Sequence, residues 1–278
     1  MTTTIAWIDG RWGTPASLVL PLDDRGLLLA DGLFETVLVR DSQPMLLDAH
    51  LQRWQAGAEL LGLGAPPDRS MLSPLLTEAV RRSHSAEGDA VLRLNWSRGG
   101  AGRGIDPPAN SEERFWLTLE RFKPLFSAVT TVISRLEKRN ASSTLSRCKS
   151  FAYGQAILAR REARQRGADD ALLRNSNGQL CCGTVANLLV RRNETWLTPP
   201  VSSGCLPGVM RGQALNQGLM QEQSVAVEPQ PGDQWLLINS LGCRTISQVN
   251  GESLRNSGNG EAFWKSLLPS HSENSLPS

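Results

Sequence analysis

The chain has 278 residues, which is enough for one large or two medium-sized domains with hydrophobic cores of their own. Hydrophobic residues make up 40% of the sequence and charged residues 20%, as in ordinary globular proteins, and a formal net charge of +2 gives no electrostatic footprint for nucleic acid or an anionic membrane. No apolar run approaches the roughly 20 residues of a membrane helix, and residues 1–9 lack the features of a signal peptide. We therefore expect a cytoplasmic protein that acts on a small molecule and binds neither nucleic acid nor membrane.

The N-terminal half of the chain mixes predicted strands and helices. Residues 5–15 (IAWIDGRWGTP) alternate around an Asp-Gly pair that is typical of hairpin turns, which predicts a β-ribbon. Residues 23–36 (DDRGLLLADGLFET) are expected to form a loop before a strand. Apolar periodicity predicts the remaining elements of this half, with a glycine-rich loop between its last two strands. They are helices over 49–63 and 69–83 and strands over 90–97 and 114–121.

A breaker and weak periodicity around Phe122-Lys123-Pro124 predict a linker at 122–127, between a domain at 1–121 and a second domain at 128–268. The second domain is expected to begin with a strand and a polar loop that leads to a helix from about Ser150. It continues as an antiparallel meander and ends with another helix and strands. These elements are predicted at 129–134 (strand), 137–146 (loop), 171–199 (meander), 206–209 (helix start) and 225–249 (strands). Residues 269–278 are polar and expected to be disordered.

The cysteines and histidines give no sign of a metal or disulfide framework. Five cysteines form no Cys-x-x-Cys pair and are odd in number, so reduced thiols are expected. Three histidines are scattered singly, whereas a zinc site usually needs ligand pairs at short spacing. We therefore predict no metal site.

Lysine is rare in this chain, and one lysine stands out by its position. Of the 29 lysines and arginines only four are lysines, and Lys149 is at the head of the helix expected from Ser150. Arginine stays protonated in proteins, whereas a desolvated lysine can lose its proton and attack a carbonyl. On position alone, the simpler interpretation is a solvated lysine in a first helical turn.

Several other segments carry groups that bind phosphate or carboxylate. Arg53 lies near the start of a predicted helix, Arg98 and Arg103 lie on the glycine-rich loop, and Leu206-Pro-Gly-Val presents backbone N–H groups at a helix start. Taken singly, each of these features more often has a structural role than a ligand-binding one. Together with Lys149 they describe an anion site and an imine-forming amine, which is what pyridoxal phosphate requires of a protein.

In this order and spacing, the segments resemble the class IV, fold type IV family of pyridoxal-phosphate enzymes, from about Ile8 to Val249. The family includes branched-chain aminotransferases, D-amino-acid aminotransferases and aminodeoxychorismate lyases. The resemblance implies an α/β (α+β) protein with a small N-terminal α/β domain, a larger C-terminal β-barrel-like domain with helices, and pyridoxal 5'-phosphate bound in the cleft between them. It also implies a homodimer that acts on a small amino substrate.

The resemblance implies roles for individual residues in binding the cofactor. Lys149 matches the lysine that forms the imine with the cofactor and shuttles the proton, and Arg53 matches the arginine that holds the cofactor phosphate. The amides of Gly208 and Val209 match further phosphate contacts of the family, and so does the turn that contains Ser240 and Leu241.

The resemblance also implies substrate-binding and architectural residues. Arg98 and Arg103 match loop arginines that meet substrate carboxylates, with Arg103 the favoured one. Tyr153, expected one turn beyond Lys149 on the same helix face, is a candidate contact to the cofactor ring and equally a candidate core residue. A further group matches a segment that shapes the site near the dimer contact and is expected to be architectural. Its members are Asp24, Arg25, Asp31, Gly32 and Phe34.

Three details favour a lyase over a transaminase. Thr36 stands where lyases of the family have a threonine beside the lysine, which suits a proton relay to the leaving pyruvate. Ile105 stands where D-amino-acid aminotransferases have a histidine, and CCGTVANLLV resembles the lyase subgroup. The expected reaction is the conversion of 4-amino-4-deoxychorismate to 4-aminobenzoate and pyruvate in folate biosynthesis. The alternative is a class IV aminotransferase for branched-chain or D-amino acids.

One departure from the family pattern concerns the pyridine nitrogen of the cofactor. Where the family has a glutamate that pairs with the protonated nitrogen, this chain has Cys182, or Cys181 if the alignment shifts by one residue. A thiol cannot hold that proton as a carboxylate does, so the ring should be a weaker electron sink. This weakens the transaminase interpretation more than the lyase one. It also leaves open a catalytically silent relative that binds the cofactor without turnover.

Overall fold

The structure, a computed structural model, describes residues 4–83, 85, 87–100, 104–107, 112–254 and 259–269. These residues pack into two compact units. The first unit comprises the chain up to Lys123 together with the short segment Cys148–Ala152, and the second comprises Pro124–Arg147 and Tyr153–Leu268. The domain boundaries expected from the sequence remain predictions, but Lys149, expected within a domain at 128–268, packs with the first unit. The predicted disordered tail lies, beyond residue 269, outside the described residues.

The first unit is built on a six-stranded antiparallel sheet in the order β2-β1-β6-β5-β3-β4. Its strands are β1 (Ile5–Ile8), β2 (Arg11–Gly13), β3 (Gly32–Arg40), β4 (Gln43–Pro44), β5 (Asp89–Ser97) and β6 (Arg114–Arg121). Its helices are α1 (Arg25–Leu29), α2 (Leu47–Leu61) and α3 (Arg69–Ser83). The predicted ribbon, helices and strands of this half are thereby confirmed, with boundaries that shift by two residues at most.

One face of this sheet packs against α2 and α3 to form the core of the unit. Leu33, Val37 and Val39 of β3 are buried there together with Trp54 of α2 and leucines of α3. Side chains two residues apart on a strand point to the same face, so Glu35 also faces this core, whereas Phe34 and Thr36 face the other way. A carboxylate in such a place needs partners of its own.

The segment expected to be a loop before β3 contains the short helix α1. The side chain of Asp24 caps this helix by accepting a hydrogen bond from the backbone N–H of Gly26 at 2.8 Å, and Ala30 ends it in a left-handed conformation with φ of 56°. The prediction of an irregular loop was therefore wrong over these five residues. A single capped turn leaves no helical period long enough to recognise in the sequence.

The second unit is built on a nine-stranded sheet in the order β12-β11-β10-β13-β14-β7-β8-β9, with β15 beside β14. Its strands are β7 (Val129–Arg139), β8 (Asp170–Asn175), β9 (Leu180–Gly183), β10 (Asn187–Arg192), β11 (Thr195–Thr198), β12 (Met220–Glu222), β13 (Gln234–Asn239), β14 (Gly242–Val249) and β15 (Glu252–Ser253). Its helices are α4 (Gly154–Gln165), α5 (Val209–Asn216) and α6 (Gly260–Ser266), and short 3₁₀ helices span Thr144–Arg147 and Val201–Ser203. Since β9 pairs with both β8 and β10, six of the strands close into a barrel.

Most predicted elements of this half are confirmed, and one strand is longer than expected. The meander from β8 to β11, the helix opened by Leu206-Pro-Gly-Val and the strand β13 are all present. β7 continues to Arg139, whereas the sequence predicted its end at residue 134. After a register shift between Ile133 and Lys138, its second half pairs with β8, and that long-range pairing extends the strand.

The segment that carries Lys149 is extended, so the helix predicted from Ser150 was wrong in its start. The carbonyl of Lys149 accepts a hydrogen bond from the backbone N–H of Phe34 at 2.9 Å, and the N–H of Phe151 donates to the carbonyl of Gly32 at 3.1 Å. These bonds to the start of β3 take up the backbone that a helix would use, and α4 begins only at Gly154. The lysine is consequently fixed to β3 of the first unit.

The cysteines belong to the hydrophobic interior. All five are buried, and no disulfide joins any of them in the described part of the chain. Cys181, Cys182 and Cys205 lie in one apolar cluster with alanines of α4. Within the described ranges, no helix is both long and apolar enough to span a membrane, and no group of three or more potential ligands is arranged to hold a metal ion.

Candidate active site

Lys149 lies over an aromatic ring in the first unit, and its amine is poised to lose a proton. Its Nζ is 4.2 Å from the centroid of the Phe34 ring. Burial of the amine, reinforced by the positive charges of Arg53 and Arg93, lowers the pKa of Lys149 from 10.5 to about 7, although the Glu35 carboxylate opposes the change. A large fraction of the amine is therefore unprotonated at neutral pH, as a nucleophile or a proton acceptor requires.

A buried carboxylate joins two cationic or polar side chains of α2 on the opposite face of β3. Glu35 is fully buried and accepts hydrogen bonds from Arg53 through Nε at 2.8 Å and Nη2 at 2.6 Å. The Nδ1 of His50 lies 2.7 Å from the same carboxylate. His50 and Arg53 are three residues apart on α2, a spacing that places both side chains on one helix face. We call Glu35, His50 and Arg53 the Glu35 cluster.

The charges of the Glu35 cluster follow from its contacts. Burial, the largest influence, would raise the pKa of Glu35, but the Arg53 charge and the hydrogen bonds from His50 and Arg53 outweigh it and lower that pKa to about 2. Burial lowers the pKa of His50 below its usual value. Because a carboxylate can only accept, the neutral His50 must carry its hydrogen on Nδ1 and donate it to Glu35. The cluster is thus one carboxylate, one guanidinium and one neutral imidazole.

Thr36 and Arg93 lie on the sheet face that carries Lys149. Thr36 follows Glu35 on β3, is half-buried, and points to the same side as Phe34. Arg93 is directly opposite Thr36 on β5, and its guanidinium carbon is 3.6 Å from the centroid of the Phe34 ring. The Nε of Arg93 donates to Oδ1 of Asn95 at 2.8 Å. The structure thus places Lys149, Thr36 and Arg93 on one face of the first unit's sheet.

Arg93 and Glu35 are not among the site residues predicted from the sequence. Arg93 lies on β5 between buried Leu92 and Leu94, and this alternation places its side chain on the face away from the core. Glu35 lies beside Thr36 on β3, with its side chain on the core face. A charged residue between apolar Leu33 and Val37, in a strand whose alternate residues are buried, was the available signal.

Of the two loop arginines predicted to meet the substrate, one is held by contacts within the first unit. Arg98 is buried and donates from Nε to Asp31 at 2.7 Å, and its Nη atoms donate to the carbonyls of Leu61 and Gly62, each at 2.8 Å. These bonds tie the loop to the end of α2. A substrate contact by Arg98 stays a prediction that its present partners disfavour, and Arg103 lies outside the described residues.

The segment around α1 forms an ion-pair network that supports the loops. Arg25 is buried, pairs with Asp31 at 2.9 Å and donates to the carbonyls of Gly104 and Ile105. Asp31 therefore bridges Arg25 to Arg98. A Cβ atom at Gly32 would lie 2.3 Å from the Phe151 ring, so the ring packs directly on this backbone. These contacts are architectural, which is the role that the resemblance implied for the segment, and they place Phe34 at the start of β3.

In the second unit, Asn187 links Cys182 to the start of α5. Cys182 is buried on β9 and lies opposite Asn187 of β10, whose Nδ2 donates to the carbonyl of Leu206 at 2.9 Å. A Cβ atom at Gly208 would lie only 2.0 Å from Oδ1 of Asn187. Gly208 is the N-cap of α5 and Val209 is its first residue. The first N–H groups of a helix lack intrahelical partners and suit a phosphate, so the amides of Gly208 and Val209 stay predicted phosphate contacts. The part played by Asn187 was not foreseen.

The other predicted cofactor contacts in the second unit have these positions. Ser240 and Leu241 form the tight turn between β13 and β14, and the N–H of Leu241 donates to Oδ1 of Asn239 at 2.8 Å. This bond disfavours the Leu241 amide as a phosphate donor. Tyr153 is half-buried at the N-cap position of α4, so its predicted place on one helix face with Lys149 was wrong. As cofactor contacts, Cys182, Ser240, Leu241 and Tyr153 stay predictions.

Comparisons with known proteins agree on one family. The family model described as amino-transferase class IV matches residues 32–249. The chain is 24% identical over 206 residues to the aminodeoxychorismate lyase of Bacillus subtilis, with 74% of this chain and 70% of that protein covered. It is 28% identical over 219 residues to the bifunctional aminodeoxychorismate lyase/D-amino acid transaminase of Mycobacterium tuberculosis, with coverage of 70% and 71%. The crystal structure of a branched-chain aminotransferase from Thermoproteus uzoniensis superposes with a TM-score of 0.85 at 21% identity, over 95% of this chain and 93% of that one.

The fold and the donor set agree with this match. The likeness to solved structures confirms the predicted fold type IV, and the first unit offers the chemistry that pyridoxal phosphate needs. Lys149 supplies an amine that loses its proton near neutral pH, and Arg53 supplies a guanidinium close enough to influence that amine. The protein belongs to the class IV aminotransferase family, whose members depend on pyridoxal phosphate.

Proposed function

We propose that this protein is an aminodeoxychorismate lyase-like enzyme, which converts 4-amino-4-deoxychorismate to 4-aminobenzoate and pyruvate for folate biosynthesis. The observation that carries the proposal is Thr36, which lies on the same face of β3 as the Phe34 ring beneath the Lys149 amine. A hydroxyl in this place can pass a proton to a leaving group, which an aliphatic side chain cannot do. The similarity to the Bacillus subtilis lyase supports the same choice.

We assign a separate role in the reaction to each of three residues, Lys149, Arg53 and Thr36. Pyridoxal phosphate, when bound, supplies an aldehyde that condenses with amines and a conjugated ring that takes up electrons. Arg53 suits its phosphate, because a guanidinium matches phosphate oxygens in charge and geometry. Lys149 is the base that takes the proton from the substrate carbon bearing the amino group. Thr36 delivers a proton to the enolpyruvate as the bond between the enolpyruvyl oxygen and the substrate ring breaks.

The proposed reaction balances without a second substrate. The proton removed by Lys149 is returned through Thr36 to the departing enolpyruvate, which becomes pyruvate. The electrons of the broken carbon–hydrogen bond complete the aromatic ring of 4-aminobenzoate, and those of the carbon–oxygen bond leave with the pyruvate. Aromatisation supplies much of the driving force. All atoms of the substrate are therefore found in the two products.

Arg93 is the arginine that we assign to a carboxylate of the substrate. It lies on the Lys149 face of the sheet, and its stacking on Phe34 together with its bond to Asn95 holds the guanidinium in a defined orientation. The substrate carries two carboxylates, so Arg103 remains a proposed partner for the second.

A class IV aminotransferase for branched-chain or D-amino acids is the second candidate. The bifunctional relative from Mycobacterium tuberculosis combines both activities in its name, and the proton removal by Lys149 would be common to both. Cys182 disfavours this candidate, since a neutral thiol is a poor partner for a protonated pyridine nitrogen. A third candidate is a silent relative that binds the cofactor and releases no product.

We also propose that the protein is a cytoplasmic homodimer. Leu27, Leu28 and Leu29 of α1 expose 53%, 60% and 49% of their surface, and consecutive exposed leucines are typical of a protein contact. Buried cysteines without a disulfide in the described ranges suit a reducing compartment.

The test of the proposed reaction is to give the purified, cofactor-loaded protein 4-amino-4-deoxychorismate and to measure 4-aminobenzoate and pyruvate. We expect equal amounts of both without a keto acid, no product from Lys149→Ala, and much slower release from Thr36→Val, which keeps the shape of the side chain. Absence of product from the wild type would refute the lyase. Turnover only in the presence of a keto acid would identify the aminotransferase, and an inert protein with bound cofactor would identify the silent relative.

A further inference from the structure

Glu35 has no part in the reaction proposed above, yet it is the most completely enclosed charge beside Lys149 in the described structure. It is fully buried in β3, between Phe34, whose ring lies beneath the Lys149 amine, and Thr36. Its carboxylate faces the core of the first unit, among residues such as Leu33 and Val37. An uncompensated charge could not stay there, so its partners must explain its presence.

The contacts of Glu35 fix the plane of the Arg53 guanidinium. Two N–H groups of Arg53, on Nε and Nη2, point at the two carboxylate oxygens at 2.8 Å and 2.6 Å, which is the bidentate geometry of a strong pair. His50 donates a third bond at 2.7 Å and prevents the carboxylate from turning. Glu35 takes up one N–H group on Nε and one on Nη2, so a phosphate would have to be met by other N–H groups of the guanidinium. The carboxylate therefore decides where Arg53 can bind an anion.

Stability alone is a weak explanation for this buried pair. Taking two charges out of water costs about as much as their attraction returns, and well-packed apolar residues often serve a core as well or better. Glu35 lies between Phe34 and Thr36, whose side chains point to the other face of β3. Its charge raises the pKa of Lys149, whereas the Arg53 charge lowers that pKa. A role in arranging the site accounts for both observations.

We infer that Glu35 is a positioning residue, which fixes the Arg53 guanidinium for the cofactor phosphate and offsets the Arg53 charge beside Lys149. The inference rests on the proposed roles of Lys149 and Arg53, and it does not depend on whether the enzyme is a lyase or a transaminase. Glu35 touches neither cofactor nor substrate in this role. It acts through Arg53 and through its charge.

The test compares two forms of the cofactor that differ only in the phosphate. Cofactor-free protein is titrated with pyridoxal 5'-phosphate and with pyridoxal, and binding is followed by the absorbance change as each reacts with the protein. The ratio of the two affinities measures the contribution of the phosphate contacts. Glu35→Gln should lower this ratio at least about tenfold, and Arg53→Gln should lower it as much or more.

A matched control separates the local role from a general loss of buried charge. Glu162 is also a buried glutamate with an arginine partner, Arg166 at 2.9 Å, but it lies in the second unit and accepts a hydrogen bond from the hydroxyl of Ser134 on β7 at 2.6 Å. Glu162→Gln should leave the phosphate ratio within about twofold of the wild type. Should Glu35→Gln fail to fold, Glu35→Asp keeps the charge on a shorter side chain and should still lower the ratio.

A second readout follows the charge of Glu35 without any cofactor. The rate at which an amine reagent modifies Lys149 is measured against pH in the cofactor-free protein. Glu35→Gln should move the midpoint to lower pH, because the Arg53 charge then acts unopposed, and Arg53→Gln should move it to higher pH. A purely structural role for Glu35 predicts no such opposite displacements.

The possible outcomes are distinct. A Glu35→Gln variant with the wild-type phosphate ratio, while Arg53→Gln has lost it, overturns the inference. An unchanged ratio in Arg53→Gln shows that Arg53 does not bind the phosphate, and it overturns the role of Glu35 as well. Failure of the proposed lyase would instead be seen with wild-type protein in the product assay, whatever the phosphate ratios are.

Discussion

The close approach of Asn187 to Gly208 predicts a strong coupling between these two positions. An alanine Cβ at Gly208 would lie 2.0 Å from Oδ1 of Asn187, so the asparagine must move and lose its 2.9 Å bond to the carbonyl of Leu206. Overpacking costs about 1–3 kcal/mol and a lost hydrogen bond about 1 kcal/mol, so Gly208→Ala should lower the free energy of unfolding by about 2–4 kcal/mol. Gly208 has φ of −67°, which alanine adopts readily, so backbone strain adds nothing.

The coupling can be measured in a variant that lacks the Asn187 side chain. Asn187→Ala alone should cost about 1 kcal/mol, and in that background Gly208→Ala should cost less than about 1 kcal/mol, which leaves a coupling energy of at least about 1 kcal/mol. Urea unfolding of the four proteins measures each free energy. Gly212→Ala, in the same helix with open space around its Cβ position, is the control and should be neutral or stabilising. Equal costs of Gly208→Ala in both backgrounds would show that the Asn187 side chain does not oppose a Cβ atom at position 208.

Four further predictions follow from charges and contacts in the two units. At pH 7 an amine reagent should modify Lys149, whose pKa is about 7, faster than the exposed Lys265, as measured by peptide mass spectrometry; a slower Lys149 would contradict its altered pKa. Because folding lowers the pKa of Glu35 from 4.5 to about 2, protonation of this side chain should lower the free energy of unfolding by about 3 kcal/mol as the pH falls from above 4.5 to below 2; urea midpoints of Glu35→Gln should then depend less on acid pH, and parallel curves for variant and wild type would exclude this. Arg98→Gln should lower the melting temperature and leave KM within about twofold, since its bonds go to Asp31 and backbone carbonyls; a large rise in KM at unchanged stability would restore it as a substrate contact. Cys182→Glu should raise transaminase activity with a keto acid acceptor, and an unchanged rate would count against the placement of Cys182 beside the pyridine nitrogen.

Elements with a regular pattern of their own could be predicted from the sequence. The helix α3 and the strand β6 have the predicted bounds, because each carries its full apolar period within its own residues. The Asp-Gly turn between β1 and β2 was recognisable for a similar reason, since both residues adopt positive φ. In these places local preference and tertiary packing agree, so the sequence alone was sufficient.

The extended segment at Lys149 shows where local patterns fail. Residues after Ser150 resemble the start of a helix, but two backbone hydrogen bonds to Gly32 and Phe34 hold the chain extended until α4. The partner strand is more than 100 residues away in sequence, and no periodicity within the segment can reveal such pairing. Tertiary pairing also brings Cys148–Ala152, with the lysine, into the first unit, whereas the chain before Cys148 and after Ala152 belongs to the second.

The kind of chemistry at the candidate site was easier to predict from the sequence than the individual residues that form the site. A rare lysine and an arginine on a helix were enough to suggest an amine beside a phosphate site, because few other residue types can serve these roles. The arginine that we propose for the substrate carboxylate was harder to predict, because the partners of Arg98 and Arg93 are set by residues far away in the sequence. Arg98 donates hydrogen bonds to Asp31 and to carbonyls at the end of α2, while the β3–β5 pairing places Arg93 opposite Thr36. Only the fold separates one arginine from the other.

The choice between elimination and amino transfer depends on residues other than the base. In the proposed mechanism both reactions begin with removal of the same proton by Lys149, so this residue does not discriminate between them. In its proposed role Thr36 serves elimination specifically, since only a leaving group needs a proton from it. On the proposed placement of Cys182, the missing carboxylate weakens amino transfer specifically, because that reaction needs the longer-lived electron sink. Thr36 lies on β3 and Cys182 on β9, in different units, and each favours elimination for a separate physical reason. A change at one position should therefore shift the balance of the two activities only partly, and the combined Thr36→Val and Cys182→Glu variant should shift it furthest toward the transaminase.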